Sequence, residues 1–127
     1  MTPTHKTMGS AGADVSAVED VTILPGEYAF IKTGAFVPEN MPKSHFLILA
    51  PRSSLCLKQG LIQPNSIGII DADYPNEILH CFLNIGKEPV KIPKGERIGQ
   101  LVCVPFISVF PTESNIRTGG FGSTNND

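Results

Sequence analysis

Apolar residues come in short runs along this chain, cut by glycine, proline, asparagine and aspartate. The runs predict strands at 21–24, 28–37, 45–50, 67–70, 78–85, 90–92 and 97–109. Residues 45–50 (HFLILA) are nearly all apolar and 67–70 are rich in isoleucine, so both read as buried strands. Two corners share one turn chemistry, Ile23-Leu24-Pro25-Gly26-Glu27 and Ile92-Pro93-Lys94-Gly95-Glu96. Residues 10–17 gather small side chains around Asp14, which reads as a tight connection between strands. Residues 1–10 show no periodicity and are expected to be mobile. Only 53–58 offers a helix, one or two turns long, with Ser53 or Ser54 as its N-cap. Many short strands, Gly/Pro corners and almost no helix predict an all-β fold, a jelly-roll-like β-barrel.

With 127 residues, the chain makes one domain. Its formal net charge of −2 gives it no basic face for duplex nucleic acid. No run approaches the ~20 apolar residues that cross a bilayer. The first ten residues lack the apolar centre of a signal peptide, so a soluble intracellular protein is expected. Cys56, Cys81 and Cys103 are odd in number and flanked by apolar residues, which suits reduced core thiols. His5, His45 and His80 share no ligand spacing with them, so no zinc site is expected.

The candidate chemistry concentrates in 65–77, where an apolar strand delivers Asp71, Asp73 and Tyr74 before Pro75 breaks it. A carboxylate held at a strand end is either a hydrogen-bonded turn residue or a positioned base. Arg52, Ser53 and Ser54 open the short helix with a guanidinium, two hydroxyls and free backbone donors, a set suited to an anion. Gln100 is a lone amide among apolar neighbours and needs partners. In the polar tail, Phe121 is embedded in glycines near Arg117, Ser123 and Thr124. Such a segment could act as a mobile lid, the ring stacking on a flat ligand and the polar groups meeting a phosphate. The residues alone stop at a β-barrel with two candidate anion sites and a placed aspartate.

Five segments taken together, in order from residue 10 to residue 124, resemble the trimeric dUTPase family (deoxyuridine triphosphate nucleotidohydrolases). They are Ala11-Gly12-Ala13-Asp14-Val15-Ser16-Ala17, Pro51-Arg52-Ser53-Ser54-Leu55, 65–74 with Glu77-Ile78, Gly95-Glu96-Arg97-Ile98-Gly99-Gln100-Leu101, and 119–124. The resemblance implies hydrolysis of dUTP to dUMP and pyrophosphate, limiting uracil in DNA and supplying dUMP for dTMP synthesis. Asp71 matches the carboxylate that activates the attacking water. Tyr74 matches the ring that excludes a 2′-hydroxyl. Uracil reading maps to Asn65, Ile69 and Leu79, on a hairpin whose main chain reads the base, and Gly68 and Ile70 match further substrate-binding positions. Arg52, Ser53, Ser54 and Gln100 match phosphate contacts. Phe121 matches the cover over uracil, and Arg117, Gly122, Ser123 and Thr124 the γ-phosphate lid. The implied cofactor is Mg²⁺, held by phosphates and water with Asp14 reached through water and no direct protein ligand.

The same resemblance implies a homotrimer with active sites at subunit interfaces, no nucleic-acid or membrane partner, and a cytoplasmic setting (a host's cytoplasm or nucleus for a viral or phage protein). It divides the chain into a β-barrel domain, 1–112, and a C-terminal lid, 113–127. Departures from the family pattern stand beside it. Arg117 lies four residues before Phe121 where five is commonest, Ser54 replaces a glycine, and Pro75-Asn76 replaces a residue–glycine pair. The chain also begins close to the first motif, so a preceding strand is expected to be missing or rudimentary. The alternatives are a dCTP deaminase, which would need a glutamate at the cytosine ring and would lack this lid, and a dUTPase-like trimer with a nucleotide-gated regulatory partner.

Overall fold

A computed structural model describes residues 2–114. Ten strands and one helix follow each other in the order β1 (Thr4–His5), β2 (Gly12–Ser16), β3 (Val21–Ile23), β4 (Tyr28–Ala35), β5 (His45–Pro51), α1 (Ser53–Gln59), β6 (Leu61–Ile62), β7 (Gly68–Ile70), β8 (Ile78–Asn84), β9 (Val90–Ile92) and β10 (Arg97–Pro105). The strands form three sheets with the orders β1-β2-β10-β5-β7, β3-β9 and β4-β8-β6, and every pairing is antiparallel. This is the expected all-β, jelly-roll-like fold, although no sheet closes on itself into a barrel among the described residues.

Alternation drives the packing. Along β8, Ile78, His80, Phe82 and Asn84 point inward while Leu79, Cys81 and Leu83 lie between them on the other face. Ile31 and Ala35 of β4, Ile23 of β3, Ile92 of β9 and Ile98 of β10 complete the same core. Each isoleucine or phenylalanine among them contributes about 1.5–3 kcal/mol by leaving water. Buried Asn84 is fully used: its amide donates to Ile23 O and Glu88 O and accepts from Gly86 N, each at 2.8 Å. The β3–β9 ladder joins Val21 to Ile92 and Ile23 to Val90, so the two like corners sit at its opposite ends. Gly26 (φ 79°) and Gly95 (φ 91°) supply the left-handed residue that each corner requires.

Several expectations need correction. Residues 12–16 are a full strand rather than a connection, because β1 and β10 flank them. The start of the chain carries β1, rudimentary but paired, and Ser10 Oγ accepts from Thr7 N at 3.0 Å. The 67–70 run is not a buried strand: Ile67 and Ile69 are 43% and 57% exposed. Among the described residues β7 pairs only with β5 and forms the edge of its sheet. The 97–109 strand ends at Pro105, whose partner His45 is the first residue of β5, so the ladder has run out. Neither Ser53 nor Ser54 caps α1; Arg52 holds the N-cap position with no side-chain hydrogen bond. The three thiols are free but not core, since Cys56 and Cys103 are exposed and Cys81 half-buried. A serial apolar context does not reveal which side of an alternating strand faces out. No helix of the described residues is long and apolar enough to cross a membrane.

Candidate active site

The first group of candidate residues gathers where β5 leaves its sheet. Arg52 N–H donates to Ile98 O at 3.1 Å, which hangs the start of α1 from β10. α1 spans seven residues and carries only a weak dipole, so the anion-binding groups here are the exposed Arg52 guanidinium and the hydroxyls of Ser53 and Ser54. Asp14, Gln100 and Ala50 are partners across β2, β10 and β5, one rung of the sheet. Gln100 folds over Gly12: a Cβ there would sit 2.3 Å from Gln100 Oε1. Arg97 Nη1 donates to Asp14 Oδ2 at 3.2 Å, an exposed pair worth at most about 1 kcal/mol. With Arg52 and Arg97 against Asp14, the corner has a cationic excess that suits a polyphosphate.

The second group starts beside the Arg52 end of β5 and runs along β7 to the opposite end, where it delivers Asp71. Ser66 N donates to Gln63 O at 3.0 Å and Ile67 N to Asn65 O at 2.8 Å, with Ser66 in the left-handed region (φ 69°). This turn feeds β7, whose Gly68 lies tight on Leu49; a Cβ would stand 3.1 Å from Leu49 Cβ. Asp71 follows at once, and its carbonyl accepts from Tyr74 N at 3.1 Å to close a turn. Glu77 Oε2 accepts from Gly34 N at 2.8 Å and fastens the far side of the loop to β4. Asp71 is half-buried and lines a cavity of about 460 Å³ with Lys43, Asp73, Phe106 and Ser114. β7 and β8 belong to different sheets, so the segment carrying Asn65, Gly68, Ile69, Ile70 and Leu79 is not zipped as the expected hairpin.

Asp71 and the phosphate corner are not brought together within one chain. Ile70 pairs with Leu47, whereas Gln100 pairs with Ala50 and Arg52 lies beyond Pro51. At the strand rise of about 3.3 Å, Asp71 and Arg52 are at least about 16 Å apart along β5. Two contributors escaped the sequence reading. Lys43 enters the Asp71 cavity from a loop with no motif of its own, and Gly12 gives Gln100 its bed, which only the pairing of β2 with β10 discloses. No group of three or more His, Cys, Asp or Glu able to hold a metal occurs among the described residues. Arg117, Phe121, Gly122, Ser123 and Thr124 lie outside the described residues.

A family model described as dUTPase matches residues 1–125. The deoxyuridine 5'-triphosphate nucleotidohydrolase of Hydrogenobaculum sp. (strain Y04AAS1) is 40% identical over 129 residues, covering 96% of this chain and 88% of that protein. Its counterpart in Hahella chejuensis (strain KCTC 2396) is 41% identical over 130 residues, covering 96% and 85%. Among solved structures, the dUTPase from Streptococcus mutans superposes with a TM-score of 0.78 at 32% identity, over 86% of this chain and 88% of that one. A mutant dUTPase from phage phi11 of S. aureus, described with a structural Mg(II) ion, reaches 0.77 at 23% identity over 90% and 89%, and speaks for the fold alone. The deaminase alternative is not favoured. The chain belongs to the dUTPase family, the enzymes that hydrolyse dUTP to dUMP.

Proposed function

We propose that Asp71 activates the water that attacks the α-phosphorus of dUTP, and that the phosphates are held by Arg52, Ser53, Ser54 and Gln100 of a second subunit. The observation that carries this reading is the separation of at least about 16 Å between the Asp71 loop and the cationic corner on one sheet. A site formed where two chains meet lets one substrate reach both, which supports a homotrimer with its sites at subunit interfaces. The water oxygen bonds to the α-phosphorus, its proton passes to the Asp71 carboxylate, and the bond to the bridging oxygen breaks to release pyrophosphate. Asp71 needs only to be ionised and within hydrogen-bond reach of the water.

Asn65, Ile69 and Leu79 read uracil, Gly68 and Ile70 complete the substrate-binding segment, and Tyr74 packs on the deoxyribose to exclude UTP. Residues 113–127 form the lid, with Phe121 over the base and Arg117, Gly122, Ser123 and Thr124 at the γ-phosphate. Mg²⁺ fits the donors present: Asp14 is one carboxylate already shared with Arg97, which suits an ion that keeps its waters and takes substrate oxygens. Asp14 would hold the ion through water, and the ion would offset the phosphate charge. The enzyme acts in the cytoplasm. Pyrophosphate release measured in parallel from dUTP, dCTP, dTTP and UTP with Mg²⁺ tests the reading. Release from dUTP alone is expected, and equal release from UTP would remove Tyr74 from its role.

A further inference from the structure

His80 is wholly buried (0% exposed), and the reaction as described does not use it. Its ring lies on Phe82 with centroids 4.2 Å apart. Gln63 Nε2 donates to Leu49 O at 3.2 Å, which turns Gln63 Oε1 toward His80 Nε2 at 3.0 Å. The amide oxygen can only accept, so His80 carries its proton on Nε2 and donates it. Nδ1 is then a lone pair, buried and with no hydrogen-bond partner among the described residues. A polar edge left unmet in the core is costly, so the ring has a tight mould around it.

That mould is Gly99 of β10. A Cβ on Gly99 would fall 2.4 Å from His80 Cε1, 2.7 Å from Nδ1 and 2.7 Å from Ala50 O. The ring therefore occupies the space of a side chain at position 99 and bears directly on the β10 backbone. This support comes where the ladder is weakest, because the β2–β10 register shifts between Arg97 and Gly99. The residues on either side of Gly99 serve the phosphate corner. Ile98 O holds the Arg52 amide at 3.1 Å, and Gln100 faces the opposite side of the strand, over Gly12.

We propose that His80 is a positioning residue for phosphate binding: its buried ring, oriented by Gln63, props β10 at Gly99 and so sets Gln100 and Arg52. The inference rests on the reading of Gln100 and Arg52 as phosphate contacts. Its test is the inhibition of dUTP turnover by pyrophosphate and by deoxyuridine in His80→Val, with Gln100→Ala alongside, all assayed below their melting temperatures. In His80→Val, KM for dUTP and Ki for pyrophosphate rise by about tenfold, less than the hundredfold that a 1 Å misplacement can cost. In His80→Asn, which keeps a donor for Gln63 and so spares the turn that feeds β7, kcat and the Ki for deoxyuridine stay within about twofold. His80→Asn also removes the ring and carries the same rise in KM and in the Ki for pyrophosphate, so the test stands should His80→Val not fold. A lowered melting temperature with both inhibition constants unchanged overturns the proposal and leaves His80 a core residue. Equal weakening of both inhibitors in His80→Asn also overturns it. A Gln100→Ala variant with unchanged KM and pyrophosphate inhibition would instead sink the phosphate-contact reading beneath it.

Discussion

The two ends of β5 are built on different principles. At the Arg52 end, three adjacent strands place Asp14, Gln100 and Ala50 on one rung, and close packing at Gly12 and Gly99 leaves little slack. At the other end, Asp71 follows a three-residue edge strand and sits in a turn beside an open cavity. Ladder register is set by many mutually supporting hydrogen bonds, whereas a turn is set by few. A rigid frame suits phosphates, whose oxygens present one tetrahedral geometry to fixed donors. A loop suits the end that must admit a flat base, close on a sugar and place a water. The phosphate end is thus an architectural feature of one chain, and on the proposed reading the reacting end works with a neighbour.

The largest effect should come from the reacting end. Asp71→Asn keeps the shape of the side chain but cannot take a proton, and kcat should fall by roughly 10²–10⁴-fold. Nucleotide affinity, read by calorimetry with dUTP, should stay nearly unchanged; full turnover in that variant would end the assigned role. The separation of the two ends allows a sharper test of nearly the same size. Arg52→Ala and Asp71→Asn subunits, each inactive alone, are unfolded together and refolded at equal ratio. If each site takes Arg52 from one chain and Asp71 from another, about a quarter of sites regain both residues under random trimer assembly. Recovery absent after verified mixing would mean that one chain supplies both groups.

What was legible in the sequence follows the same division. The strands announced themselves through alternation and Pro-Gly corners, because core-facing positions on a two-residue period leave a local trace. Asp71, Arg52 and Gln100 stood out as polar residues at the ends or in the midst of apolar runs, and the family pattern supplied their roles. Distance was not legible. Asp71 and Arg52 are close in sequence, yet β5 and β7 run antiparallel and carry them to opposite ends. Nor was the edge position of β7, since the isoleucines 67 and 69 read as buried whether a sheet or nothing in this chain covers them. The matches of Gly12 to Gln100 and Gly99 to His80 arise from pairings between distant segments, which no local pattern encodes.

Tyr74 offers an intermediate effect confined to the loop end. Its N–H ties back to Asp71 O at 3.1 Å and its ring packs against the core edge, so truncation opens space beside the sugar without touching the phosphate corner. In Tyr74→Ala the preference for dUTP over UTP should drop by roughly 10–200-fold, the range a single filled gap controls. The ratio of kcat/KM values measures it. Pyrophosphate inhibition should not move, and a parallel loss there would show that the two ends are not independent.

The smallest effect concerns the buried ring that lies beneath the phosphate end. Burial lowers the His80 pKa from 6.5 to about 3, and its neighbours Gln63, Phe82, Gly99 and the Leu49 carbonyl carry no charge that could offset this. Between pH 6.5 and about 3 the unfolded chain binds a proton at this residue that the folded chain refuses. Stability therefore rises with pH across that window, at up to about 1.4 kcal/mol per unit for one proton, and gains nothing from His80 above 6.5. Carboxylates titrate in the lower part of the same window, so the comparison is with His80→Val at one fixed subunit concentration. Denaturant midpoints of the two proteins should converge as pH falls from 6.5 to 5, the natural protein losing stability faster by about one proton's worth. Parallel curves would mean that the ring accepts its proton inside the fold. A mould tight enough to position β10 has no room for that proton's hydration, so parallel curves would also loosen the prop at Gly99.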